Sequence, residues 1–321
     1  MSAALPTPSV GVALSHWTVQ PLVLAVVLAT AAWYFYAVRD HRASGKPWSN
    51  KRVALFAAGV VVTIWTTCGF PEVYASSSFA IWTSQQLGLL LILPAVVLGG
   101  GPLELARMRG GPTGRVNRVI ESAPVRALAY PLIGPALIPL MSVVLFFGPL
   151  PGWAVSVTAV HWLLPLIVLA AGSLVVMRLV GLQTMPTSMA VGLALAIGSF
   201  ELVLDAVPGI ALRLHHSAST SFFHHRVSQV WALSPIHDQQ LAGAILWCVA
   251  ELLDLPFLVL VYRQWIRADA RDAANVDAVL EAERIARGQS GEAPPAGAEP
   301  ERDVPWWIAD EAMRNRLKRQ G

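Results

Sequence analysis

The chain has 321 residues, of which 55% are hydrophobic and only 13% charged, with a formal net charge of +3 and a mean hydropathy of +0.55. Soluble domains carry about 25% charged residues. The charge present is too sparse to cover a globular surface, which excludes a soluble fold and makes lipid the solvent for much of the chain.

A bilayer core of about 30 Å needs about 20 apolar residues per helix, and lipid forces the backbone to pair with itself. Seven apolar segments meet this demand in chain order: Pro21–Val38, Val53–Phe70, Phe79–Leu98, Ala127–Phe147, Ala154–Met177, Met189–Val207 and Leu241–Val261. The fourth and fifth are parted only by the breaker Gly148-Pro149-Leu150-Pro151-Gly152. The apolar runs are continuous rather than alternating, so a membrane β-barrel is excluded. The expected fold is therefore an all-α, polytopic, seven-helix transmembrane bundle over residues 1–262. A cytoplasmic tail over residues 263–321 follows it.

No Lys or Arg occurs in the first sixteen residues. A cleaved signal peptide lacks its positive n-region, and the first apolar segment is expected to stay as a helix. Of the 23 basic residues, all but Arg213 and Arg226 fall in the first, third and fifth connections and the tail. Basic residues collect on the cytoplasmic side, which predicts an outer N-terminus and a cytoplasmic C-terminus. The basic charge thus reports topology and contact with anionic lipid headgroups rather than nucleic-acid binding. The connection from Gly99 to Val125 reads as a surface loop. In the tail, Arg263–Arg287 reads as a polar helix and Gly288–Glu301 as a flexible linker. The final segment carries Trp306 and Trp307 beside basic residues, suited to a membrane interface or to a cytoplasmic partner.

Ionisable groups inside a span are costly and mark function by default. Glu201 and Asp205 stand i, i+4 in the sixth segment, and Glu251 and Asp254 stand i, i+3 in the seventh, so each pair shares a helix face. Five of the eight histidines lie between the sixth and seventh segments: His215, His216, His224, His225 and His237. At the same outer depth fall Cys68, Gln85, Gln86, Met141, His161 and Cys248. Imidazole suits copper, and thiolate or thioether suits Cu(I). The expected metal ligands are the five loop histidines, His161, Glu201 and Asp205. Asp238, Gln239, Gln240, Glu251 and Asp254 would orient ligands or lock helices. A plainer alternative stands beside this: the carboxylates pair with nearby cations, the histidines form a solvated loop, and the cysteines pack as small apolar residues.

Several classes drop out. Lys46, Lys51 and Lys318 all lie outside the apolar segments, which excludes a retinal Schiff base within the bundle. There is no phosphate-binding G-x-x-x-x-G-K-[ST] loop and no G-x-S-x-G nucleophile elbow. A non-enzymatic role is expected.

The stretch Ser234-Pro235-Ile236-His237-Asp238-Gln239-Gln240-Leu241-Ala242-Gly243 resembles the entry to the last span in the CtaG-like cytochrome c oxidase assembly factor family. The downstream residues Trp247–Glu251, Asp254–Pro256 and Gln264–Ala273, and the late Pro305-Trp306-Trp307, resemble its actinobacterial branch. Gly69-Phe70-Pro71-Glu72-Val73-Tyr74-Ala75 and Leu98–Leu103 add weaker matches. The resemblance implies seven helices and a role in maturing haem–copper oxidases, with oxidase subunits as partners and copper as the associated metal. The chain departs from the family where many members carry His-Met-x-x-His in the third span. Here Trp82-Thr83-Ser84-Gln85-Gln86 stands instead. In the sixth span Phe200-Glu201 replaces a Phe-His run, and His161 is what remains of the histidines in the fifth. The alternatives are a copper or proton transporter using the carboxylates, and a structural membrane scaffold without metal.

Overall fold

The computed structural model describes residues 10–111, 114, 117–118, 122, 133–182, 188–218, 220–225 and 234–289. Among these residues the secondary structure is helical throughout. Helices α1 (Val10–Ser15), α2 (Pro21–Ala43), α3 (Asn50–Cys68), α4 (Phe70–Ala75) and α5 (Phe79–Leu87) come first. A π-helical turn over Gly88–Ile92 leads into α6 (Leu93–Gly99), and α7 (Pro102–Gly110) follows. Then come α8 (Ile133–Phe147), α9 (Leu150–Ser156), α10 (Thr158–Leu182), α11 (Ser188–Leu214), α12 (Phe222–His225) and α13 (Pro235–Gln289).

Among the described residues, five helical stretches are long and apolar enough to cross a membrane: Pro21–Ala43, Asn50–Ala75, Phe79–Gly99, Thr158–Met177 and Leu195–Leu214. The pair Pro139–Phe147 and Leu150–Ser156, bent by 55°, makes a sixth if it is one broken span. The bend falls at Gly148-Pro149, where the missing proline N–H prevents a continuous ladder. The expected last span lies within α13, although several of its side chains, Asp254 among them, fall outside the described residues. The chain divides into two units, Met1–Ile266 and Arg267–Gly321. In the second, the described residues form the end of α13, with Val276, Val279, Leu280 and Ile285 exposed.

Several hydroxyls inside the spans are satisfied locally. Thr63 Oγ1 donates to the Gly59 carbonyl at 2.7 Å, Thr67 Oγ1 to that of Thr63 at 2.8 Å, and Ser173 Oγ to that of Leu169 at 2.8 Å. Where lipid offers no partner, this back-bonding removes the cost of an unpaired donor. Helix approach relies on small residues, as membrane packing favours. A Cβ on Gly209 would lie 2.9 Å from the Gly243 carbonyl oxygen, and one on Gly243 only 2.6 Å from that of Gly209. The last glycine of the Asp238–Gly243 stretch therefore sets α13 directly against α11.

The antiparallel α2 and α3 define the two ends of the bundle. At one end, Arg52 pairs with Glu104 at 2.7 Å and Arg109 with Asp40 at 3.2 Å. The first and third connections, both rich in arginine, thus meet at the same end. Residues 102–110, expected as loop, form α7. Gly101, at φ +78°, turns the chain, and Pro102 opens the helix where its missing N–H is not needed. Beneath lies a small core in which Tyr34 stacks on Phe56 with centroids 3.8 Å apart. Tyr34 Oη donates to the Gly100 carbonyl at 2.8 Å and accepts from Trp48 Nε1 at 3.1 Å. Tyr34→Phe is expected to leave both partners unsatisfied and to destabilise the protein by about 1–3 kcal/mol. Thermal unfolding in detergent checks this; an unchanged midpoint would deny the network its structural role.

Candidate functional site

The other end of the bundle collects buried polar side chains from four elements. Gln20 directly precedes Pro21, the first residue of α2, and a residue before proline is kept out of the helical region. Its backbone is extended, at φ −99° and ψ 90°. The Thr18 N–H donates to the Cys68 carbonyl at 2.7 Å, which pins this segment to the end of α3. Gly69 breaks the second span, and α4 restarts with Pro71 in its first turn. That restart brings Glu72 inward, where it is only 6% exposed.

The Glu72 carboxylate is the hub. Gln20 Nε2 donates to Oε1 at 2.7 Å, and Gln85 Nε2, from α5, donates to Oε2 at 2.5 Å. Gln85 Nε2 also reaches the Thr66 carbonyl at 2.9 Å. His161, near the start of α10, sets its Nε2 3.1 Å from Glu72 Oε1 and 2.5 Å from Gln20 Nε2. Its Nδ1 lies 3.1 Å from the Ala154 carbonyl. A carbonyl only accepts, so Nδ1 carries a proton. A small cleft is lined by Glu72, Trp82, Gln85, Gln86 and His161 among others. Its imidazole side chain is 39% exposed, so the cleft reaches the surface beside it.

A second polar lock adjoins this cluster. Asp238, 2% exposed, accepts from Ser78 Oγ at 2.9 Å, from the Phe79 N–H at 2.8 Å and from the Ala80 N–H at 3.0 Å. It therefore caps the start of α5 from about 160 residues away in sequence, offering a carboxylate where the helix dipole favours negative charge. Gln239, fully buried, donates Nε2 to the Ser217 carbonyl at 3.1 Å. Gln240 is half-buried. The Asp238-Gln239 pair thus ties the last span to the third and to the connection after α11.

The histidine-rich connection looks different in space than in sequence. His215, His216, His224, His225 and His237 are all exposed. His215 Nδ1 lies 3.0 Å from the Ser217 carbonyl, and His237 Nδ1 2.9 Å from Ser234 Oγ. His224 and His225 follow the buried Phe222, which packs with Phe79, Trp82 and Phe223. Among the described residues, no three His, Cys, Asp or Glu side chains group as metal ligands. Asp205 is buried, at 3% exposure. Glu251 accepts from Trp247 Nε1 at 3.3 Å. The side chains of Glu201 and Asp254, and the whole of Arg226, lie outside the described residues. Cys68 is buried and Cys248 exposed, and neither forms a disulfide. Met141 packs against the main apolar core.

Glu72 and Gln20 are the hub residues that sequence reasoning did not assign to a site. Glu72 stood within a quoted motif, and a carboxylate in the first turn after a span was the signal that could have found it. Trp82, where many relatives of the expected family have histidine, is 3% exposed and stacks on Phe79 with centroids 5.7 Å apart.

The profile of the family described as cytochrome c oxidase caa3 assembly factor (Caa3_CtaG) matches residues 32–268. An uncharacterized protein of Mycobacterium leprae is 25% identical over 280 residues, covering 81% of this chain and 41% of the relative. An uncharacterized protein of Mycobacterium tuberculosis is 25% identical over 283 residues, covering 84% of this chain and 42% of the relative. The chain thus spans about two fifths of the length of these curated relatives. No solved structure matches it. Matched from the first span into the last helix, the chain belongs to the cytochrome c oxidase caa3 assembly factor family, as a multi-pass protein of the bacterial plasma membrane.

Proposed function

We propose that this protein assists the assembly of a haem–copper cytochrome c oxidase, as a membrane partner of oxidase subunits and not as an enzyme. The observation that carries this is the family match over residues 32–268, which takes in Glu72, Gln85, His161 and the Asp238 lock. The arginine-rich end of the bundle is assigned to the cytoplasm by its charge. The Glu72 cluster and the loop histidines then stand at the outer face, and seven spans put the N-terminus there too.

Copper enters this proposal as cargo. His215, His216, His224, His225 and His237 are exposed imidazoles, suited to brief contact with copper. They do not form a three-ligand group among the described residues, so they are assigned capture and release rather than storage. The tail beyond α13 is assigned to a cytoplasmic partner.

Crosslinking in intact membranes tests the partnership. Tagged full-length protein is expected to recover newly made oxidase subunits, at several times the yield of an unrelated tagged membrane protein. Equal yields would defeat the proposal.

A further inference from the structure

We propose that the C-terminal segment of this chain, residues 305–319, folds back antiparallel onto an exposed apolar stripe at the end of α13. The stripe is Val276, Val279 and Leu280, each more than half exposed. Asp272 and Glu283 stand at i−4 and i+7 from Val276, so they bracket the stripe along the same helix face. Ile285, exposed as well, falls on the opposite face and takes no part.

Lipid hydrocarbon is not the cover. The apolar run of the last span ends at Val261, and Arg263, Arg267, Asp269 and Arg271 come between it and the stripe. Charge at that density does not enter a bilayer core. Neighbouring apolar side chains exposed as one patch mark an interaction surface.

Charge decides the occupant. Residues 272–283 hold Asp272, Asp277, Glu281 and Glu283 and no Lys or Arg. Arg284, just beyond, pairs with Glu281 at 3.5 Å. An acidic stripe is repelled by anionic lipid headgroups, and a second copy would set the same carboxylates against one another. A basic amphipathic segment is what fits.

Such a segment follows in the same chain. It lies outside the described residues, and its sequence supplies the complement. Residues 312–319 hold Arg314, Arg316, Lys318 and Arg319 and no Asp or Glu. Trp306, Ala309, Met313 and Leu317 recur at i, i+3, i+7 and i+11, the spacing of one helix face. Asp310 and Glu311 precede these cations, whereas Arg284 and Arg287 follow the carboxylates of α13. An antiparallel return therefore sets opposite charges together at both ends. Residues 290–304 make the connection. A flexible linker of about 15 residues has a mean span of roughly 20 Å, and Val276 stands about 20 Å back along α13 from Gln289. Such a tether holds the segment near its stripe at about millimolar effective concentration. A cytoplasmic partner of the tail would then compete with α13 for the same residues. The pairing is independent of the assembly role.

Full-length protein in detergent, carrying Cys68→Ala and Cys248→Ala and spin labels on Asn275→Cys and Asn315→Cys, tests the pairing. Packed helices lie about 8–10 Å apart, so pulsed electron resonance should give one narrow distance distribution, below about 30 Å with both label arms included. It should persist when labelled protein is diluted with unlabelled protein. It should also persist in phosphatidylcholine vesicles containing phosphatidylglycerol. Reversing the cations with Arg314→Glu, Arg316→Glu, Lys318→Glu and Arg319→Glu should reduce the short-distance fraction several-fold. Adding Asp272→Lys, Asp277→Lys and Glu283→Lys should recover it. A broad distribution in the labelled parent would overturn the proposal. So would a short distance that dilution removes, which assigns the stripe to a second copy, or one that the anionic vesicles abolish, which assigns the segment to headgroups. Should a charge variant fail to fold, the labelled parent decides alone. No oxidase takes part, so failure here is separate from failure of the assembly role.

Discussion

Gly172→Ala is expected to be among the most damaging single changes in the bundle. A Cβ at Gly172, in α10, would lie 2.0 Å from the Leu90 carbonyl oxygen and 2.7 Å from its carbonyl carbon. Leu90 sits in the π-helical turn of the third span, and backbone cannot rotate away as a side chain can. Overpacking a core costs about 1–3 kcal/mol where side chains can adjust. With backbone as the obstacle, we expect more than about 3 kcal/mol here. The same span provides a contrast: Gly88 meets nothing within 4 Å, so Gly88→Ala should be nearly neutral. Melting midpoints in detergent and the amount of protein in membranes check the pair. Equal tolerance of both changes would refute the close approach of α10 to the third span.

Asp238→Ala carries the second large effect. Its carboxylate serves one hydroxyl and two backbone N–H groups at the start of α5. Each buried donor left without a partner costs about 1–3 kcal/mol, so the loss should be about 3 kcal/mol or more. Asp238→Asn keeps one acceptor oxygen and should lose roughly half as much. Because α5 carries Gln85, loosening its start should also disturb the Glu72 cluster. Proteolysis between the second and third spans gives a local readout: Asp238→Ala should be cut faster there, and unchanged cutting would rule out the cap.

Much of the architecture was legible in the sequence because lipid imposes a simple rule. Continuous apolar runs located the five stretches long enough to cross a membrane among the described residues, and a sixth as a bent pair; the arginine bias put two connections at one end, where Arg52 and Arg109 do find their acidic partners. The helix at Pro102–Gly110 was signalled by proline at its start, Glu104 in its first turn and arginines in its last. Those cues are ordinary capping chemistry, and the polar character of the segment hid them.

The site was less legible because its contacts are far apart in sequence. Gln20 meets Glu72 across 52 residues and His161 across 141. Neither Gln20 nor Glu72 has a local pattern that announces a partner. The histidines drew attention by their density, yet crowding along the chain left them exposed on the surface. Asp238 was expected to orient ligands or lock helices; its carboxylate caps a helix of the third span.

The proposal that this chain serves the assembly of a cytochrome c oxidase is open to a direct test. The most direct measurement is oxidase activity, together with the haem and copper content of the oxidase, in membranes of a strain lacking the gene. A several-fold loss of assembled oxidase is expected, restored by a plasmid copy of this chain. Oxidase of normal activity, haem and copper content in the deletion strain would contradict it.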